Sequence, residues 1–364
     1  MKILQLAHGK VIPKYSSAYA LRCHSYLAQF NDRVLYSISG LVYRDKKEDY
    51  ARQYRSIITF AYSVIKKHRS LEYLISRGKF LRKRYISDVK EVIKESDIIV
   101  FEGPWQYYLF RDSIGDKRVV YDAHNVESKL RKGNIWEDYT FLLEKDLATI
   151  SDLIITMTHV DAKLFSSLYG IQEEKILCIP EGFKIQSNTW AGIDSKNIVF
   201  IGSAYFPNIE AVNLISKIAH DLPQFKFRII GSVCSAVRRR TLPHNVELLG
   251  LLTESQKDEV LNTSFLALNP VLTGSGMNFK MNDYINHGIP ILTTEIGARG
   301  FDSDLASQFI LTGPEELIEK IKWVDKEREM LINRSKFFLE YVQKECSKPY
   351  DFIIREAFYN LVDS

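Results

Sequence analysis

GSGMNFKMNDYINHGIPILTT, residues Gly274–Thr294, is the stretch on which the fold reading turns. An apolar run bounded by turn residues, FLALNP (Phe265–Pro270), precedes it, and another, IPILTT (Ile289–Thr294), closes it. Short apolar runs on either side of a helical stretch are the pattern of buried parallel strands joined by a crossover helix. The helix opens after small residues and stops at Gly288, with Pro290 just beyond. Gly274 and Gly276 let the backbone approach a ligand closely. The unpaired N–H groups that open the helix, with its dipole, favour a phosphate. Lys280 falls near the first turn, where an ammonium offsets a diphosphate's charge. Asp283 follows three residues later on the same face, where a carboxylate can accept from ribose hydroxyls. A plainer reading is an ordinary helix N-terminus with an i,i+3 Lys–Asp pair of about 0.2–0.5 kcal/mol.

The same alternation extends in both directions. Lys2–Ala7, Arg33–Ser37, Ser96–Phe101, Arg118–Ala123, Asp152–Met157 and Lys175–Pro180 read as strands with helices between them, the first helix running from about Ser17 to Phe30. SNTWAGIDSK (Ser187–Lys196) is polar and irregular, a linker, after which NIVFIGS, FKFRIIGS, VELLGLL, FLALNP and IPILTT restart the pattern. The reading is α/β, two Rossmann-like doubly wound domains facing each other across a cleft: residues 1–188, with a C-terminal helix over 348–364 packing back on them, and residues 189–347.

At 364 residues, 46% hydrophobic and 26% charged, the chain suits two soluble domains. It contains no apolar run long enough to span a membrane. MKILQLAHGK reads as a first strand rather than a signal peptide. Cys23, Cys178, Cys234 and Cys346 have no paired spacing, against a zinc site or disulfide framework and in keeping with a reducing cytoplasm. Charge is uneven: Arg44–Arg84 holds 13 Lys/Arg against 4 Asp/Glu. Ile57, Ile58, Phe60, Ala61, Val64 and Ile65 are interleaved there at helical spacing. A basic amphipathic segment of this kind docks on anionic headgroups, which makes peripheral contact with the cytoplasmic face of a membrane one expectation. A solvated helix with a core-facing stripe is the other. Nucleic acid is not expected, since no binding module is recognisable.

Two further segments place polar groups at strand ends. VVYDAHNVES (Val119–Ser128) puts His124 and Asn125 just after a buried strand, flanked by Asp122 and Glu127, where open α/β sheets place ligands. FIGSAYFPN (Phe200–Asn208) closes a second-domain strand with Gly202 and Ser203. Glu102, in FEGPW, reads either as a polar strand end or as part of an acceptor side. Asp302-Ser303-Asp304 spells a metal-binding triplet but sits where it caps a helix.

HNVE, PEGFK, FIGS with PNIEAV, and GSG-N-K-D-GIP-TT-GARG, in this order over nearly the whole chain, resemble the family 4 glycosyltransferases of the GT-B fold. The resemblance is to the branch whose helix motif reads GSG-x-N-x-K. It implies a retaining transfer of a hexose-type sugar from a nucleotide-diphosphate sugar, the co-substrate, to a glycan, lipid-linked or polysaccharide acceptor, with no obligatory metal and no other cofactor. Lys280 then takes the diphosphate, Asp283 the ribose, and His124 the neighbourhood of sugar and acceptor. Gly274, Ser275, Gly276, Met277 and Asn278 line sugar and phosphates; Gly202 and Ser203 line the diphosphate side. Three departures stand out. Ser275 replaces the first helix carboxylate, Ser203 stands where an arginine often follows the second domain's first strand, and Ser16 and Ser17 replace a glycine pair in the first loop. Asp122, Asn125 and Glu102, with Ser16 and Ser17, are the candidates on the acceptor or sugar side. A sugar-nucleotide epimerase or phosphorylase on the same architecture, and a non-catalytic nucleotide-sugar-binding subunit, remain open. An NAD-dependent oxidoreductase is the weakest alternative, since no G-x-G-x-x-G follows a strand.

Overall fold

The computed structural model describes residues 1–13, 18–39, 45–56, 61, 71–78, 81, 83–131, 133, 135–180, 182–237, 242–273 and 278–363. The chain divides into two compact units, Met1–Glu181 with Pro349–Ser364, and Gly182–Lys348. The division falls before the polar segment that the sequence suggests as a linker, because that segment is already bonded into the second unit. Lys184 N donates to Asn286 Oδ1 at 3.1 Å, Trp190 N to the His287 carbonyl at 2.8 Å and Ala191 N to the Asn262 carbonyl at 2.8 Å.

The first unit is built on an eight-stranded sheet. Its strands are β1 (Ile3–His8), β2 (Arg33–Ser39), β3 (Lys46–Glu48), β4 (Ala51–Arg55), β5 (Ile98–Glu102), β6 (Arg118–Ala123), β7 (Leu153–Thr156) and β8 (Ile176–Cys178), in the order β3-β4-β2-β1-β5-β6-β7-β8. All pair in parallel except β3, which runs antiparallel to β4. Ile3, Leu4, Ile99, Val100, Phe101, Val120 and Tyr121 are fully buried, as expected of strands covered by helices on both faces. The C-terminal helix Tyr350–Asp363 belongs to this unit: Phe358 meets Phe30 at 5.2 Å between ring centroids, and Ile354 is buried with it. The basic stretch opens as the β3–β4 pair rather than as a helix. Of its interleaved apolar positions, Ile57, Ile58, Phe60, Val64 and Ile65 lie outside the described residues.

The second unit has six parallel strands: β9 (Asn197–Ile201), β10 (Lys226–Ile230), β11 (Val246–Gly250), β12 (Leu266–Asn269), β13 (Ile291–Thr293) and β14 (Ile310–Leu311). Their order, β11-β10-β9-β12-β13-β14, is that of a dinucleotide-binding sheet, 3-2-1-4-5-6. The direction of winding reverses between β9 and β12, and ligands of such sheets bind beyond the carboxyl ends of the strands at that point. In the first unit the corresponding reversal lies between β1 and β5.

Candidate functional site

A cavity of about 340 Å³ opens at the β9/β12 reversal of the second unit. Ile201, Gly202, Ser203, Asn208, Asn278, Lys280, Asp283 and Arg299 are among its lining residues. The helix Phe279–His287 sets the geometry. Tyr284, fully buried, accepts Ile201 N through its hydroxyl at 2.8 Å and so fastens the helix to the end of β9. Gly288 ends it at φ +69°, where a Cβ would come within 2.9 Å of Leu339 Cγ. Gly202 is required by packing: a Cβ there would lie 2.8 Å from Phe200 Cε1 and 3.1 Å from Asn208 Cβ.

Lys280 turns into this cavity. Its ammonium donates to Asn208 Oδ1 at 2.6 Å and lies 4.2 Å from the centre of the Phe200 ring. Asn208 is itself oriented by its amide, which donates to the Ser203 carbonyl at 3.1 Å and to Ser203 Oγ at 3.2 Å. Burial, and then the nearby Arg299 guanidinium, push the Lys280 amine down to about 7. The i,i+3 pair does not form. Asp283 accepts Lys257 Nζ at 2.9 Å instead, and Lys257 also reaches Glu254 at 3.0 Å. Asn278, at the helix N-cap, ties the loop through its amide, which donates to the Gly297 carbonyl at 2.9 Å. A buried amine with no carboxylate at bonding distance among the described residues, beside the opening turn of a helix, is chemistry that suits an anion.

The first unit places a charged network at the carboxyl ends of β1, β5 and β6. Strand register sets Glu102 beside Ala7 and Asp122. His124 Nε2 faces Glu102 Oε2 at 2.9 Å and Asp122 Oδ2 at 3.3 Å. Asp122 accepts both Arg22 Nη2 (2.8 Å) and Arg22 Nε (3.1 Å), a bidentate pair sealed from solvent. Glu102 Oε1 accepts from Gln5 Nε2 and the Tyr26 hydroxyl, each at 2.8 Å. Burial opposes charge on His124, but Asp122 and Glu102 outweigh it and raise the imidazole to about 9. Burial likewise opposes ionisation of Asp122, yet Arg22 and His124 hold its carboxyl below the ordinary range. Burial and the neighbouring Asp122 raise Glu102. Ligand atoms of Cys23, Glu102 and His124 lie within 4.8 Å of one another. A charged imidazole and a thiol that burial keeps protonated are poor donors to a cation, and the carboxylate oxygens already take hydrogen bonds.

The cavity gathers five of the sequence's donor-side residues, Gly202, Ser203, Asn278, Lys280 and Asp283. Gly274, Ser275, Gly276 and Met277, with Ser16 and Ser17, lie outside the described residues. Glu102 and Asp122 are fully buried and hold His124, so neither offers a surface to an acceptor. Asn125 stays partly exposed and bonds the Glu127 side chain. Asp302 caps its helix through Leu305 N at 2.9 Å. Sequence reasoning overlooked His8, Asn208 as the partner of Lys280, and Arg299. His8 ends β1 as His124 follows β6; its Nδ1 faces the Glu102 carbonyl at 3.0 Å and the Tyr19 hydroxyl at 3.1 Å, and burial pushes the ring down to about 4. A histidine directly after an apolar run, LQLAHGK, was the available signal.

Residues 195–325, the core of the second unit, match the family model described as glycosyl transferases group 1. In fold, HepE from Anabaena, solved in complex with UDP and glucose, is similar over 99% of this chain and all of its own, with a TM-score of 0.68 at 13% identity. Sucrose-phosphate synthase from Thermosynechococcus elongatus is similar over 99% of both chains, with a TM-score of 0.65 at 10% identity. An uncharacterized 44.6 kDa protein in the cps region of Klebsiella pneumoniae is 21% identical over 62% of this chain, a match that spans 64% of that relative's length. The chain therefore has the GT-B glycosyltransferase fold, and its second unit carries the group 1 domain.

Proposed function

We propose that the chain is a glycosyltransferase that uses a nucleotide-diphosphate sugar, with the diphosphate on Lys280 and the ribose on Asp283. The observation that carries this reading is the buried Lys280 ammonium, aimed into a cavity at the sheet's reversal point and held there by Asn208 and Phe200. As the anomeric carbon–oxygen bond breaks, its electron pair passes to the β-phosphate oxygen. Lys280 and the helix N-terminus meet that charge, which is the task electrostatic preorganisation performs. The acceptor hydroxyl oxygen bonds the anomeric carbon and its proton leaves with the released diphosphate, a retaining course that needs no metal ion at the phosphates. The first unit's His124, kept charged by Glu102 and Asp122, serves as a hydrogen-bond donor to sugar or acceptor. UDP-linked sugars are the first donors to test, because HepE was solved with UDP and glucose.

A glycan or lipid-linked acceptor is in keeping with the excess of basic residues over Arg44–Arg84. Among the described residues no helix is long and apolar enough to cross a membrane, so contact with lipid would be peripheral. The test is a thermal-shift panel of UDP, GDP, ADP and their sugar conjugates, followed by turnover of the donor that binds. Lys280→Ala is expected to keep the fold and lose on the order of a hundredfold in rate, as loss of one preorganised donor does elsewhere. Normal turnover in that variant contradicts the proposal. Change of the donor sugar without an acceptor, or consumption of inorganic phosphate, replaces it with an epimerase or a phosphorylase.

A further inference from the structure

We propose that Arg299 is a second cation of the same diphosphate site, supplied by the turn after β13; this rests on the donor reading above. The turn is built to hold its place. Gly297 N donates to Thr294 Oγ1 at 3.0 Å, and the Gly297 carbonyl accepts both Asn269 Nδ2 (3.2 Å) and Asn278 Nδ2 (2.9 Å). A Cβ at Gly297 would lie 2.2 Å from Thr293 Oγ1, so the chain passes there with no room to spare. Asn278 begins the helix that carries Lys280, so one amide sets the turn bearing Arg299 against the helix bearing Lys280.

The side chains then converge. Arg299 and Lys280 line one cavity, and the charged residues described around it are these two and Asp283, whose carboxylate is bonded to Lys257. Tyr205 faces Arg299 from the loop after β9. Arg299 is half-buried, with Nη1 donating to the Ile296 carbonyl at 2.5 Å. Its guanidinium stays charged at any pH the protein meets, whereas the Lys280 amine, near neutrality, is charged only part of the time. Ser203, at the end of β9, brings no charge. Two like charges brought together in a cavity raise each other's energy, and an anion with more than one charge relieves both. The guanidinium supplies a forked donor and the ammonium a point charge, so the two phosphates of a diphosphate can engage one cation each.

The experiment compares UDP, GDP and ADP with their monophosphates and nucleosides by calorimetry on wild type, Arg299→Met and Arg299→Lys, with circular dichroism to confirm folding. Arg299→Met is expected to bind the diphosphate about ten- to a hundredfold more weakly and the nucleoside unchanged, and Arg299→Lys to recover part of the loss. Removing the like charge also frees Lys280 to protonate, so the pH midpoint of UDP-glucose binding moves upward in Arg299→Met. A residue that only holds the turn would leave that midpoint in place. Equal losses for diphosphate and nucleoside, or none, overturn the inference alone. Wild type that binds no nucleoside diphosphate overturns the donor reading and this inference with it.

Discussion

Donor affinity should depend on pH through Lys280. Its amine is pushed down to about 7 from an ordinary 10.5, because burial and Arg299 both disfavour the charge. A diphosphate favours the charged form, so binding pulls the amine back towards its ordinary value. Below about pH 7 the proton is already present and affinity is flat. Above that, each binding event takes up a proton, and affinity falls towards tenfold per pH unit. Between about pH 7 and pH 9 the loss approaches a hundredfold, about 2.7 kcal/mol. UDP-glucose is the probe of choice because neither of its phosphates titrates in that window. Calorimetry over the range gives the slope, and buffers of different ionisation enthalpy give the proton count, expected to be close to one at the alkaline end. Lys280→Arg should bind without the slope, since a guanidinium does not titrate there. A flat wild-type profile, or the same slope in Lys280→Arg, refutes the reasoning.

Other consequences follow from the buried charges. Arg22→Met takes the bidentate partner from the buried Asp122, leaving it to His124, and should cost about 3–5 kcal/mol, seen as a lower urea midpoint at unchanged slope; a change under about 1 kcal/mol contradicts the pairing. Glu127 is pushed up to about 8 by burial and Glu144, so the folded state keeps a proton that the unfolded chain releases from 4.5 upward. Stability therefore falls as pH rises from about 4.5 to 8, and Glu127→Gln should remove a loss on the order of a few kcal/mol; an unchanged pH profile of the melting temperature argues against it. Lys257→Met releases the Asp283 carboxylate and should weaken UDP about three- to tenfold while leaving 2′-deoxy-UDP unaffected, on the net scale of one hydrogen bond. Equal weakening of both nucleotides would mean that Lys257 does not act through the ribose.

Much of this was legible in the sequence because buried strands are continuous apolar runs. RVVYDA reads as Arg118–Ala123 and is β6, and the helix before Gly288 lies where its small-residue loop and C-terminal glycine put it. The β3–β4 pair was not legible: KKE and ARQYR carry charges at a sheet edge, and their buried Gln53 is occupied with Val11 N at 2.7 Å. The His124 network was half legible. A histidine after a strand drew notice, but that Glu102 and Asp122 both reach it depends on the β5–β6 register, and the Arg22 pairing spans a hundred residues of chain. Lys280 was found through its helix, whereas Asn208 reaches it from the first turn of the helix Phe206–Ala219 and Arg299 from the turn after β13, and local spacing suggested Asp283 in their place.

Soaking crystals of the protein with UDP at saturating concentration tests the central claim most directly. The account predicts density for the diphosphate beyond the carboxyl ends of β9 and β12, with a phosphate oxygen about 2.7–2.9 Å from Lys280 Nζ and a ribose hydroxyl on Asp283. UDP bound elsewhere, or its diphosphate turned away from Lys280, contradicts it.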